Sequence, residues 1–283
     1  MPGKEENLNP SEKPPREATA EARQTSRPTV DDSKTSRLVN HFTEDIRPSM
    51  FAELQLVILT FCTGMQAPFC RQDATTFPDY HCFASNQTGN TVFLCLALIL
   101  PNLNGETFIT SNIGMALGLF LGAGWLTGQL SHIIGPRTRW WLILCNLLQT
   151  CLVLGAAWVQ YRYGVKDQGP AALGVVGLLA FAAGSQVVQS RSLCMTEIST
   201  TMATAAWVDL VIDQRLLALK NRPRTRRVAF LSALVAGSLV GALIYREVGS
   251  PTAIAVSGGG KLLVTIMYLF SPSEKKQQEQ SPV

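Results

Sequence analysis

Amide, hydroxyl and ionisable side chains interrupt segments of this chain that are otherwise apolar for the length of a helix. The candidates are Gln66, Asp73, Asn86, Thr88, Asn90, Gln186, Arg191, Thr200, Thr201, Thr204, Asp209 and Lys261. Such groups cost free energy in hydrocarbon, so each faces a partner or a water-filled path. Asn, Gln and Thr can replace the hydration shell of a small polar solute or a dehydrated ion, and Asp73 and Asp209 could carry a coupling proton. Two other readings stand beside this one. Thr, Gln and Asn also join helix pairs without binding anything, and Asp73, Asp209 and Lys261 could form buried ion pairs.

Many of these residues fall on a pattern that occurs twice. Gly64-Met65-Gln66, Thr88-Gly89-Asn90 and Gly118-x-x-x-Gly122 are followed by Gly184-Ser185-Gln186, Thr204-Ala205-Ala206 and Gly237-x-x-x-Gly241, at offsets of 120, 116 and 119. Near-constant spacing across three landmarks points to duplication. In a membrane chain, duplication points to a transporter-like architecture with its site at the junction of the halves. Glycines four apart bare the backbone on one helix face, so Gly118 and Gly122, like Gly237 and Gly241, are expected to pack closely against neighbouring helices. A homo-oligomer through the same face is the other use of this pattern.

The chain carries no HExxH, GxSxG or paired-carboxylate constellation, and no CxxC or Cys/His metal spacing. We therefore expect no enzyme, no metal site and no cofactor. Ser257-Gly258-Gly259-Gly260-Lys261 lacks the spacing and the preceding strand of a phosphate loop. Its glycines are expected to thin or unwind the last helix beside Lys261.

The elements that must position these residues are apolar blocks. The chain has 283 residues, 47% of them hydrophobic, and a mean hydropathy of +0.17. That average conceals a polar, proline-containing tail over 1–50, a second short tail over 272–283, and a membrane domain over 51–271. The N-terminal tail has no aromatic residue before Phe42 and cannot bury enough surface to order itself. The blocks lack the wet face of a soluble helix. Spans are predicted near 52–69, 86–101, 110–134, 140–161, 170–190, 199–218, 227–245 and 252–270, in halves of about 52–161 and 170–270. The fold class is thus an all-α polytopic helix bundle of seven or eight helices, with six as the lower bound. The weakest span is 199–218, which carries Asp209, Asp213 and Arg215.

With eight spans, most Lys and Arg fall on the side of the tails, led by Arg215, Lys220, Arg222, Arg224, Arg226 and Arg227. The positive-inside rule then puts both termini in the cytoplasm. The net charge of +4 is read through topology, so the expected partners are the lipid bilayer and a small molecule, with no nucleic acid.

Asp73-Ala-Thr-Thr-Phe, then Phe83-Ala-Ser-Asn-Gln-Thr-Gly-Asn90, resembles the opening signature of the YoaK-like family of small multipass membrane proteins (domain of unknown function 1275). The later block, with Gly184-Ser-Gln186, Ser190-Arg191, Glu197-Ile198, Thr200-Thr201, Asp209-Leu210 and Lys261, is similar too, and the Gln-Thr-Gly-Asn form resembles fungal members. The resemblance covers roughly 50–270. It implies a multipass protein and carries no substrate. The chain departs from the family pattern where Ala67 to Gln72 separates Gln66 from Asp73, as an insertion would. The expected function is transport of a small polar solute or ion, with a non-transporting membrane scaffold or partner-binding protein as the alternative.

Overall fold

The computed structural model describes residues 39–66, 80–105, 107–195, 197–198, 200, 203–216, 218 and 220–273. Asp73, Thr201, the 67–72 segment, residues 1–38 of the predicted N-terminal tail and residues 274–283 of the C-terminal one lie outside the described residues. The described residues fall in one compact unit, Val39–Val283.

Among the described residues eight helices of nine or more residues follow one another: α1 Met50–Met65, α2 Gln87–Ile99, α3 Thr110–Ile134, α4 Arg139–Tyr163, α5 Pro170–Ser192, α6 Ala203–Val211, α7 Arg222–Val248 and α8 Ser250–Leu269. No strand occurs among the described residues. Helices α3, α4, α5, α7 and α8 are long and apolar enough to cross a bilayer. The chain is a multipass integral membrane protein.

Local sequence explains several boundaries. Ser49 caps α1, its hydroxyl accepting from the Ala52 N–H at 3.3 Å, and Glu53 sits in the first turn, where a negative charge suits the helix dipole. Asn221 caps α7 by accepting from the Arg224 N–H at 3.1 Å, with Pro223 in the first turn. Helix α7 consequently starts five residues before the predicted 227, and Arg222, Arg224 and Arg226 are helical. Gly249, at φ +105°, alone joins α7 to α8, and its N–H closes onto the Ile244 and Tyr245 carbonyls. Helix α6 is much shorter than the predicted 199–218. Thr200 stands at φ +53° before it. After it, Asp213 accepts from the Arg215 N–H at 2.8 Å and from the Asn221 amide at 2.9 Å, which holds the chain in a turn.

The two ends of the bundle are tied by separate sets of bonds. At one, the arginine end, the Ile46 N–H donates to the Arg137 carbonyl and the Arg47 N–H to Pro272. Arg137 donates to the Ser192 carbonyl, and Glu53 bridges Arg222 and Arg226. At the other, the tyrosine end, Asn112 donates to the Tyr80 and Asp167 carbonyls, both at 2.8 Å. There Gln160 donates to the Tyr80 hydroxyl at 2.6 Å and accepts from Ser250 at 3.0 Å. Helices α3, α4, α5, α7 and α8 each run from one end to the other, and α1 starts at the arginine end. Helices α2 and α6 do not run from end to end. The chain enters α2 from Tyr80–His81 and returns to α3 at the same end, where the Ile109 N–H donates to the His81 carbonyl. It leaves α5 and enters α7 at the arginine end. At 13 and 9 residues, α2 and α6 span about 20 and 14 Å, short of the ~30 Å hydrocarbon core. At 16 residues α1 is also shorter than the five helices long and apolar enough to cross.

Helix α3 packs on α5 and α1 on α7; α4 lies against both α5 and α8, and α1 also meets α8. The short helices α2 and α6 pack on α3 and α7. Glycine makes two of these approaches. A Cβ on Gly237 would strike the Phe61 carbonyl, and one on Gly241 would come within 2.5 Å of the Met65 carbonyl. Across the bundle, a Cβ on Gly184 would strike the Phe120 carbonyl. Gly118 and Gly122 are a correction to the sequence reading: a Cβ on either would meet nothing within 4 Å. The inner face of α3 is Ala116, Ala123 and Thr127, so its glycine stripe faces outward.

Candidate functional site

The core is divided by depth. One apolar cluster, including Tyr80, Phe108, Val153, Val175 and Ile254, lies toward the tyrosine end. A second, including Ile46, Leu56, Leu142, Phe230 and Tyr268, lies toward the arginine end. Between them α1, α4, α5 and α8 contribute a layer of polar side chains centred on Lys261, which is 1% exposed.

The Lys261 ammonium donates to Gln149 Oε1 at 3.2 Å and to Gln186 Oε1. The Gln186 amide in turn donates to the Thr63 hydroxyl at 3.0 Å. The Gln149 amide donates to Gln189 Oε1 at 2.9 Å and to the Ser185 hydroxyl at 3.3 Å, and Gln189 donates to the Leu142 carbonyl. On α8, Asn146 of α4 donates to the Lys261 carbonyl at 2.8 Å and to the Thr265 hydroxyl at 2.9 Å. One turn before Lys261, Ser257 accepts from the Gln66 amide and donates to the Cys62 carbonyl at 2.9 Å. The two glutamines of the repeated pattern thus reach α8 at adjacent turns, Gln66 at Ser257 and Gln186 at Lys261. The glycines here thin α8 without unwinding it. A Cβ on Gly260 would overlap Cys62, and one on Gly258 would press on Leu154.

The electrostatics of this layer are one-sided. Lys261 and Arg139 are buried, and no Asp or Glu among the described residues is. Arg139 belongs to the arginine end, where it donates to the Leu269 and Ser271 carbonyls at 2.9 and 2.7 Å. Lys261 has no carboxylate partner among the described residues. An ammonium has three donors, and two of them meet amide oxygens. Asn146 Oδ1, buried in the same layer, accepts no hydrogen bond. A donor with full positive charge and a free acceptor are the groups that recognise a small oxyanion or a polar acid.

Of the sequence candidates, Gln66, Gln186 and Lys261 come together here. Asn90 is buried but committed locally: its amide bonds the Phe83 carbonyl and Gln87, and its Oδ1 accepts from the Phe83 N–H. Asn86, Thr88, Arg191 and Thr204 are exposed. Asp209 is half-exposed and paired with Arg227 at 3.6 Å. Thr200 is buried near the arginine end with an unpartnered hydroxyl. Asn146 and Gln149 were not singled out from the sequence. Asn146, Gln149 and Thr150 share one face of an apolar helix, and that polar stripe was the available signal. No group of side chains that could hold a metal occurs among the described residues.

No curated protein matches the chain, and no solved structure does. The family model described as protein of unknown function (DUF1275) matches residues 55–267, an interval that holds all eight helices apart from the first turns of α1 and the end of α8. On that match, which takes in well over half of the chain, the chain belongs to the DUF1275 family of proteins of unknown function.

Proposed function

We propose that this protein is a non-enzymatic transporter of a small polar solute, with preference for an anion, and that Lys261 is the binding charge. The observation that carries the reading is a buried ammonium at mid-depth with no buried carboxylate around it among the described residues. An uncompensated charge in the membrane interior is costly, and an anionic ligand would complete it. The architecture supports the same reading. Exchanging α1, α3 and α4 for α5, α7 and α8 turns the pair α1–α7 into α5–α3 and the pair α1–α8 into α5–α4, and all four pairs are packed. Three crossings per half make two such halves inverted, and each half carries a short helix that returns to its own end. Inverted repeats with short or broken helices around a midplane site are a recurring transporter plan.

The positive-inside rule supports cytoplasmic termini more strongly with six crossings than with eight. Arg162 and Lys166 then leave the tail side, and Arg137, Arg139 and Arg191 join it. Ten described Lys and Arg lie at the arginine end, against Arg162, Lys166 and Arg246 at the other.

The test is uptake of a panel of small anions and neutral polar solutes into proteoliposomes. Wild type should move at least one anion, Lys261→Met should fall to the protein-free background, and Asp209→Asn should keep its flux. Equal fluxes from wild type and Lys261→Met for every solute would sink the reading. One observation favours a scaffold instead: the amides around Lys261 bond one another across α1, α4, α5 and α8, as a purely structural polar layer would. A scaffold predicts no flux from any form and loss of stability on removing Lys261.

A further inference from the structure

We propose that the cleft between α6 and the start of α7 binds one bilayer phospholipid with an anionic headgroup, its acyl chain lying in the apolar groove that continues along α7. This inference is independent of the transport reading and uses none of the residues around Lys261.

Two cavities lie on this face. A cleft of about 430 Å³ at the arginine end is lined by Asp209, Asp213, Arg215, Lys220, Arg222 and Arg227, among others. A groove of about 360 Å³ is lined by Trp207 and Leu210 of α6 and by Val228, Leu231, Val235 and Leu239 of α7, among others. Asp209 and Leu210 are consecutive, and so are Arg227 and Val228, so neighbouring residues of the same two helices line the charged cleft and the apolar groove. From Val228 to Leu239 the groove runs about 16 Å along the helix, close to half the ~30 Å hydrocarbon thickness. A charged pocket at the membrane surface beside an apolar groove one leaflet deep has the shape of a phospholipid.

The charges select the headgroup. Asp209 and Asp213 both face Arg227, each at 3.6 Å, and Arg222 is shared with Glu53. Arg215 and Lys220 form no ion pair among the described residues, and both side chains are exposed at the mouth of the cleft. The lining carries four cations against two carboxylates, with Arg222 shared with Glu53, and this positive balance favours a phosphate with net negative charge over a zwitterionic choline headgroup. The groove residues are exposed as well, Trp207 by 50%, Val235 by 48% and Leu239 by 63%, so a chain can enter sideways from the bilayer.

The experiment titrates the full-length protein, purified in neutral detergent, with phosphatidylglycerol and phosphatidylcholine carrying identical acyl chains, and reads bound lipid by native mass spectrometry. The expected result is preferential retention of one phosphatidylglycerol. The double variant Arg215→Gln/Lys220→Gln should bind it about thirtyfold more weakly, from roughly fivefold per basic residue at an anionic surface. Val235→Trp, which fills the groove, should weaken both lipids. Arg162→Gln/Lys166→Gln, at the opposite end, should leave binding unchanged. Quenching of Trp207 by a chain-brominated phosphatidylglycerol, absent in Trp207→Phe, reports the chain position in unmutated cleft residues. Equal retention of the two lipids by wild type would overturn the proposal. So would equal weakening by the pair at the opposite end, or displacement of the lipid by an equal concentration of chain-free glycerol phosphate.

Discussion

Replacing Lys261 by methionine separates two contributions that the wild-type side chain combines. Replacing a buried charge that has no carboxylate partner among the described residues by an apolar group of similar length is neutral or stabilising. Lys261→Met is therefore expected to unfold in detergent at the same temperature as wild type or higher, while its flux disappears. Gln149→Leu should act oppositely, because it keeps the charge and removes one of its two acceptors, at a cost of about 1–3 kcal/mol. A Lys261→Met protein less stable than Gln149→Leu would mark the layer as structural. Asp213 sets a pH dependence outside the membrane. The Arg215 N–H and then the Asn221 amide hold its carboxyl below the usual carboxylate range. The stabilisation it gives the α6–α7 connection is complete above its ordinary value and is lost as pH falls through the lowered one. Hydrogen exchange of amides 212–216 should accelerate in that acid window, and Asp213→Asn should abolish the change. At this scale Gln66, Gln186 and Lys261 were legible, because a polar residue in an apolar block stands out alone. Their meeting was not legible. It depends on which faces of α1, α5 and α8 turn inward, and that is fixed by α4, whose polar stripe drew no attention.

Among the elements, the glycine pattern sorts into parts by what it touches. Gly237→Ala is expected to destabilise by about 1–3 kcal/mol, because the added methyl must displace helix backbone. Gly118→Ala and Gly122→Ala should cost nothing, or gain up to ~1 kcal/mol from helix propensity, since their Cβ positions are open. Thermal unfolding of the three variants in one detergent checks both statements. The sequence reading treated the two glycine pairs as equivalent because spacing reports which residues share a face, not which way the face points. Apolar blocks located six helices to within a few residues, α3 at its full predicted range. They overextended α6, where hydropathy continues past Val211 but the Asp213 turn ends the helix. Blocks of similar composition also hid that α2 and α6 return to the end they left. That property belongs to the loops around them, and hydropathy does not record it.

For the whole molecule, the number of crossings decides orientation. With six, positions 166 and 220 lie at opposite ends. In a background without native cysteines, Lys220→Cys should react with an impermeant thiol reagent only from the cytoplasmic side of sealed cells, and Lys166→Cys only from the other. Labelling of both from one side would restore eight crossings. The bundle also has a fixed electrical character. Lys261 stands at the twelfth of twenty positions in α8, near mid-depth, and the surrounding core holds no negative charge among the described residues. A full charge crossing the membrane field exchanges about 2.3 kcal/mol per 100 mV, so a movable charge at mid-depth feels roughly half of that. With an anion bound, the centre is neutral and its rearrangement is blind to voltage; with the site empty, the same rearrangement carries a cation through the field. Under the proposed anion transport, membrane potential would act on the return of the unloaded protein and leave the loaded step alone.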